Sequence, residues 1–228
     1  STQRGVAPAY ADRAYKKALR MGDLLNEAYM RQAVKRLLDW KNDVYTKGYG
    51  VKPYDEEEIV SWIKQYTSIL APYICDALPL LSKAHEAGKR MLFEAQLGAL
   101  RDLDYGIYPY TSSSTPLAAY APVGSGLPSL NVDHVVGIIK STSTCVGAGP
   151  FFGELEDEQG AHLREVGRDY GAATGRPRRV AWMDLVASRY GVLLQGATEL
   201  TLTKLDVLSG INELPVCVGY RLRGEVIT

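Results

Sequence analysis

The sequence predicts an α/β fold, a mixed sheet flanked by helices, with a helical subregion at its N-terminal end. Three observations carry this. Amphipathic helical periodicity dominates the first part of the chain. After it, short apolar runs that read as strands alternate with helical stretches, the pattern of an α/β sheet. Polar loops rich in glycine and arginine follow those runs, and strand ends are where α/β proteins place ligand contacts. The expected division is residues 1–90, mostly helical, and residues 91–228, the sheet region.

The elements follow in chain order. Leu24, Leu25, Ala28, Val34, Leu37 and Leu38 recur every three to four residues and predict a helix with Asp23 as its N-cap. Lys47-Gly48-Tyr49-Gly50 ends it. Asp55-Glu56-Glu57-Glu58 opens a second helix, because acidic residues suit the positive end of the helix dipole. Ile59, Trp62, Ile63, Tyr66, Ile69 and Leu70 form its apolar face. Pro72 and Pro79 should kink or split it, and Gly88 should stop it. Met91–Glu94 is expected as a buried strand. Residues 97–128 form a long loop whose tyrosines (Tyr105, Tyr108, Tyr110, Tyr120) favour order. Val132–Ile139 reads as a helix and Thr142–Val146 as a strand. His162–Tyr170 reads as a helix, Gly171–Arg179 as a polar loop and Trp182–Leu194 as a helix. Glu199–Leu205 and Val216–Leu222 read as strands, the second turning at Arg223-Gly224 into a hairpin.

Composition removes several function classes. Apolar residues at 46% and charged residues at 23% exclude a disordered or collagen-like chain. Lys+Arg and Asp+Glu both number 26, so a global polyelectrolyte grip on nucleic acid or an anionic membrane is not expected. No apolar run reaches the roughly 18 residues of a membrane span. Cys75, Cys145 and Cys217 are odd in number and far apart, and read as reduced core thiols of a cytoplasmic protein. His85, His134 and His162 show no metal-ligand spacing. The chain starts at Ser1 without a methionine or signal peptide and closes inside a hairpin, so both ends are expected to be cut from something larger.

Charge is uneven within the zero total. Residues 1–52 hold eleven Lys/Arg against five Asp/Glu, which suits either a solvated helical face or a surface for an anion such as phosphate. Lys204-Leu205-Asp206 ends an apolar run. A carboxylate there can accept the two adjacent N–H donors of guanine while the lysine stem covers the ring; a solvated strand end is the other reading. Gly171–Arg179 sets three arginines and a hydroxyl between glycines, as a carboxylate or phosphate loop or as a basic surface turn. Ser1–Pro8 and Tyr108–Ser114 add hydroxyl groups able to donate to phosphate oxygens. There is no Walker A pattern and no Ser/His/Asp spacing.

Taken together, Arg4-Gly5-Val6-Ala7-Pro8-Ala9-Tyr10, Leu92-Phe93-Glu94, Asp102-Leu103-Asp104-Tyr105-Gly106, Gly175-Arg176-Pro177-Arg178-Arg179 and Leu202-Thr203-Lys204-Leu205-Asp206 resemble the adenylosuccinate synthetase family over essentially the whole chain. The resemblance implies a P-loop-NTPase-like fold and a GTP-dependent ligase that joins IMP to L-aspartate through 6-phosphoryl-IMP in AMP biosynthesis. It implies Mg2+, a homodimer and a cytoplasmic location. By the same resemblance, Lys204 and Asp206 contact guanine, with Arg178 also at the GTP. Thr174, Arg176 and Arg178 hold the aspartate. Thr2, Lys16, Ser112, Val146 and Arg176 contact IMP, Lys16 from the neighbouring subunit.

The departures from the family pattern are specific. Lys16 stands where the family has arginine, and Ser112 where threonine is usual. In Phe93-Glu94-Ala95-Gln96-Leu97-Gly98, Leu97 falls at the family's IMP-binding glutamine, with Gln96 one place early. The family's Gly-Asp-Glu-Gly-Lys-Gly-Lys loop and its catalytic aspartate and histidine have no counterpart in these residues. The metal ligands are accordingly expected outside them, and the 228 residues alone are expected to be inactive. The rival expectation is a non-catalytic nucleotide-binding or dimerisation module on the same scaffold.

Overall fold

The structure, a computed structural model, describes residues 5–95, 98–172 and 175–228. They divide into two compact units, one ending at Gly88 and the other running from Lys89 to Thr228.

The first unit is built from four helices: α1 (Val6–Ala14), α2 (Glu27–Asp43), α3 (Glu56–Leu70) and α4 (Ala77–Glu86). Asp23 does not cap α2. Asn26 does, its Oδ1 accepting the amides of Ala28 at 3.0 Å and Tyr29 at 3.2 Å. Asp23 lies in a preceding 3-10 turn (Met21–Leu25), where its carboxylate takes the Arg20 amide at 2.9 Å. Both side chains can cap; the one adjacent to the first helical turn prevails. Asp55 caps α3 through the Glu58 amide at 3.0 Å.

The prolines split the helix that follows. The chain leaves α3 through a 3-10 turn at Ala71–Tyr73, and Pro79 falls in the first turn of α4, where an amide has no intrahelical acceptor to lose. Met30, Val34 and Leu38 of α2 pack on Val60 and Ile63 of α3. Trp62 and Tyr66 lie outside this seam and pair with each other at 5.1 Å between ring centroids. Lys41 closes on the buried Asp12 at 2.7 Å and ties α1 to α2.

The second unit has α/β architecture with mixed sheets. Its strands are β1 (Val136–Lys140), β2 (Thr142–Cys145), β3 (Arg179–Asp184), β4 (Glu199–Thr203), β5 (Val216–Cys217), β6 (Tyr220–Leu222) and β7 (Glu225–Ile227). Its helices are α5 (Ala121–Ser125), α6 (Glu158–Val166) and α7 (Leu185–Gln195). β1 runs parallel to β4. β2 pairs antiparallel with β3, and β3 runs parallel to β5. β6 and β7 form the hairpin expected at Arg223-Gly224, both residues having positive φ.

Several expectations change here. The stretch expected as a helix over 132–139 becomes β1, because β-branched Val136, Ile138 and Ile139 suit a pleated ladder and β4 supplies the backbone partners. Trp182 to Asp184 belong to β3, and α7 starts at Leu185 under an Asp184 cap that accepts the Ala187 amide at 3.0 Å. The 216–222 run breaks into β5 and β6. The helix expected over 162–170 starts earlier, capped by Asp157, and ends at Val166. Met91–Glu94 is not a strand: no described strand pairs with it, and Leu92 is 95% exposed. The long loop is shaped by 3-10 turns at Ala99–Arg101 and Ala118–Tyr120 and by Asp102, which accepts the amides of Asp104 and Tyr105. Only Cys145 of the three cysteines is buried; Cys75 is exposed.

Leu163 of α6, Val180 of β3 and Val207 form the core of this unit, flanked by Leu155, Trp182, Leu208 and Ile211. Leu163→Ala is expected to lower the unfolding free energy by about 2–5 kcal/mol in urea denaturation, because its site is fully buried on all sides.

Candidate functional site

The loop between α6 and β3 is closed by its own backbone. The Gly171 amide donates to the Arg176 carbonyl at 2.8 Å, the Gly175 amide to the Gly171 carbonyl at 2.7 Å and the Arg178 amide to the Asp169 carbonyl at 2.9 Å. Gly175 sits at φ 63°, a conformation that favours glycine. Three arginines leave this loop with different partners.

Arg179 is committed to structure. Its Nε donates to Glu154 Oε1 at 2.7 Å and its Nη2 donates to Glu154 Oε2. Nη1 donates to the carbonyls of Gly149 at 2.9 Å and Gly147 at 3.3 Å, and the guanidinium lies over the Phe151 ring at 5.2 Å. This fork holds the Glu154 carboxyl below the usual carboxylate range, and the same contact pushes Arg179 up. Arg176 is exposed.

Arg178 differs from both. Its carbonyl accepts Arg164 Nε at 2.7 Å. Its Nη1 stands 3.9 Å from Asp169 Oδ1, and its buried Nε has no hydrogen-bond partner among the described residues. A desolvated N–H donor without an acceptor is a place where an incoming carboxylate gains a bond at little further desolvation.

The end of β4 lies against the same turn. Lys204 adopts a left-handed backbone at φ 65° and reaches from there to the Gly167 carbonyl, 2.6 Å from its Nζ. Its own carbonyl accepts Ser141 Oγ at 2.7 Å. Asp206 follows in a 3-10 turn (Leu205–Leu208), exposed, its carboxylate without a hydrogen-bond or ion-pair partner among the described residues. An ionised carboxylate in that setting has only acceptors to offer a ligand.

On the other side of Arg179, Arg101 gathers two further segments. Its carbonyl accepts the Ser112 amide at 2.7 Å, and its Nη2 donates to Cys145 Sγ and to the Val146 carbonyl, the latter at 3.3 Å. Its Nη1 donates to the Tyr110 carbonyl. The Ser112 hydroxyl is shared with Ser114 at 2.9 Å, and Val146 is exposed. An open cleft of about 460 Å3, lined by Phe93, Glu94, Ser114, Thr115, Tyr120 and Ser125, adjoins Ser114.

The structure therefore links Ser112, Val146, Arg178 and Lys204 through one run of contacts. It passes from Arg101 to Cys145, across the Cys145–Arg179 strand pair, and through Asp169 to Gly167. Lys16 belongs to the other unit, exposed and left-handed at φ 60° just after α1. Thr2, Gln96, Leu97 and Thr174 lie outside the described residues. Among the described residues, no group of three or more His, Cys, Asp or Glu is placed to hold a metal ion, and no helix is long and apolar enough to cross a membrane.

Glu154, Asp169, Lys140 and Arg101 were not singled out by sequence reasoning. Each acts through a partner at least nine residues away, and no local motif records such a pairing. Glu154 gives a pH-dependent test. A carboxylate whose folded pKa is lowered stabilises the fold above its ordinary value of 4.5 and loses that contribution as pH falls through the folded value. Glu154→Gln is expected to cost about 1–3 kcal/mol at neutral pH and to flatten the stability loss below the ordinary carboxylate pKa, as read by denaturation across pH.

A family model described as adenylosuccinate synthetase matches residues 1–228. The adenylosuccinate synthetase of Caldanaerobacter subterraneus subsp. tengcongensis is 42% identical over 227 residues, covering 100% of this chain and 53% of that protein. That of Parafrankia sp. (strain EAN1pec) is 44% identical over 225 residues, covering 99% of this chain and 53% of that protein. The structure of fully ligated adenylosuccinate synthetase from Plasmodium falciparum superposes with a TM-score of 0.91 at 34% identity, over 100% of this chain and 53% of that one. The chain spans about half the length of the curated relatives it matches.

Proposed function

Because the chain belongs to the adenylosuccinate synthetase family, we propose that a full-length protein carrying it joins IMP to L-aspartate at the expense of GTP, and that these 228 residues recognise the substrates. The observation that carries the proposal is the contact run from Ser112 through Arg178 to Lys204, which links a hydroxyl segment, an arginine with an unmatched donor and a Lys-x-Asp strand end.

The roles follow that order. Asp206 accepts the two N–H donors of guanine, and Lys204, held by Gly167, lays its stem over the base. Arg178 receives an aspartate carboxylate through Nε and Nη and also borders the GTP, with Arg176 and Thr174 beside it. Ser112 and Thr2 serve the IMP phosphate, Val146 lines its ribose, and Gln96 or Leu97 occupies the base-contact turn. Lys16 reaches the IMP of a neighbouring subunit in a homodimer. Its backbone is left-handed, at φ 60°, a sparsely populated conformation for lysine.

The reacting nitrogen is the aspartate amine, which attacks C6 of the activated base; the C6–O6 bond breaks and phosphate leaves carrying O6. Arg178 contributes by fixing the dicarboxylate so that the amine is presented to that carbon. The P-loop-NTPase-like phosphate machinery and Mg2+, which neutralises triphosphate charge when bound, are assigned to the remainder of the full-length protein, in a cytoplasmic setting. Among the described residues, no group of three or more His, Cys, Asp or Glu is placed to hold that metal.

Two measurements test this in the full-length enzyme. Arg178→Ala is expected to raise the KM for aspartate roughly 30-fold or more, the loss of a charge-assisted pair, while the KM for GTP changes little. An unchanged aspartate KM removes the assignment. Asp206→Asn replaces one acceptor by a donor, which matches xanthine and mismatches guanine. The ratio of kcat/KM for XTP over GTP should rise by roughly two orders of magnitude. A constant ratio means that this strand end does not read the base and favours a module without guanine specificity.

A further inference from the structure

Lys140, at the end of β1, shares the Asp169 carboxylate with Arg178. Its Nζ donates to Asp169 Oδ1 at 2.6 Å and to Thr144 Oγ1 at 2.9 Å. Arg178 Nη1 approaches the same Oδ1 only to 3.9 Å, beyond hydrogen-bond length. The Asp169 side chain is 4% exposed, so its charge must be offset by a close partner, and Lys140 is the closer of the two.

We infer that Lys140 is a positioning residue for substrate binding: it holds the Asp169 carboxylate away from Arg178 and so leaves the Arg178 guanidinium available to the dicarboxylate substrate. This rests on the proposed role of Arg178. The three side chains carry two positive charges and one negative. The short contact assigns the negative charge to Lys140, so the surplus positive charge resides on Arg178. Arg178 remains oriented, because its amide donates to the Asp169 carbonyl at 2.9 Å and its carbonyl accepts Arg164 at 2.7 Å. Without Lys140, Asp169 has one cation left. A buried carboxylate beside one guanidinium forms a forked pair with it, and such a pair competes with the substrate for the same N–H groups.

The test is a double-mutant cycle in the full-length enzyme with Arg178→Ala as reference. Lys140→Met is expected to raise the KM for aspartate about 10-fold and to leave those for GTP and IMP within about 2-fold. Adding Asp169→Asn removes the competing carboxylate and should bring the aspartate KM back to within about 3-fold of wild type. A purely structural role predicts the opposite, a double variant worse than either single one. An unchanged aspartate KM in Lys140→Met, or a double variant impaired beyond it, overturns the inference. If Lys140→Met does not fold, the double variant decides alone: a near-wild-type aspartate KM supports the inference and a 10-fold rise overturns it. If Arg178→Ala itself leaves the aspartate KM unchanged, the reading of Arg178 fails and this inference with it. If Arg178→Ala raises that KM and Lys140→Met does not, only the inference fails.

Discussion

Arg179 directs all three of its guanidinium nitrogens at protein groups, and the arrangement of the site follows from that commitment. It opens β3, opposite Cys145 on the antiparallel β2, and its guanidinium spans Glu154 and the Gly147 and Gly149 carbonyls. One side chain thereby fixes the turn after Val146 and the start of the strand. Gly149 lies close against Tyr110, where a Cβ would meet the ring at 2.7 Å, so the turn admits no larger residue without displacing that segment. Its neighbour Arg178 has a desolvated Nε with no acceptor among the described residues. Adjacent arginines in one motif thus differ, one holding the backbone and one keeping an unmatched donor.

The same logic applies at the two lysines held with positive φ. A lysine there costs more than a glycine, of order 1 kcal/mol, and persists only where its surroundings over-determine it. At Lys204 those surroundings are visible: a carbonyl receives its ammonium, and a serine hydroxyl donates to its own carbonyl. Lys16 is positioned by the end of α1, whose Arg13 carbonyl accepts the Lys16 amide at 3.0 Å. Both side chains belong to the proposed substrate contacts, which is where such strain is commonly stored.

Local chemistry made part of this legible in the chain itself. Asp55 before a glutamate run, Thr142–Cys145, Glu199–Thr203 and the Arg223-Gly224 turn are each determined by residues within a few positions, and the structure has them there. The stretch expected as a helix over 132–139 holds strand β1 instead, because a short apolar run looks alike as helix or strand until a partner is known, and its partner β4 lies some sixty residues later. Met91–Glu94 was misread for the converse reason: it has strand composition but no described strand beside it. At the site, the motifs could be located, but not the division of labour among Arg176, Arg178 and Arg179. That division depends on Glu154, Asp169 and Lys140, which reach the loop only through tertiary pairing.

The proposed function requires guanine, a dicarboxylate and a nucleoside monophosphate to lie side by side along one contact run. A crystal structure of the full-length protein with IMP, a GTP analogue and an aspartate analogue measures this directly. The account predicts the guanine N1 and N2 edge on Asp206 and a carboxylate within hydrogen-bond distance of Arg178 Nε, with Arg179 still forked on Glu154 and the nucleoside monophosphate beside Ser112 and Val146. A guanine bound away from Asp206, or an Arg178 turned onto Asp169 with the dicarboxylate held elsewhere, would contradict it.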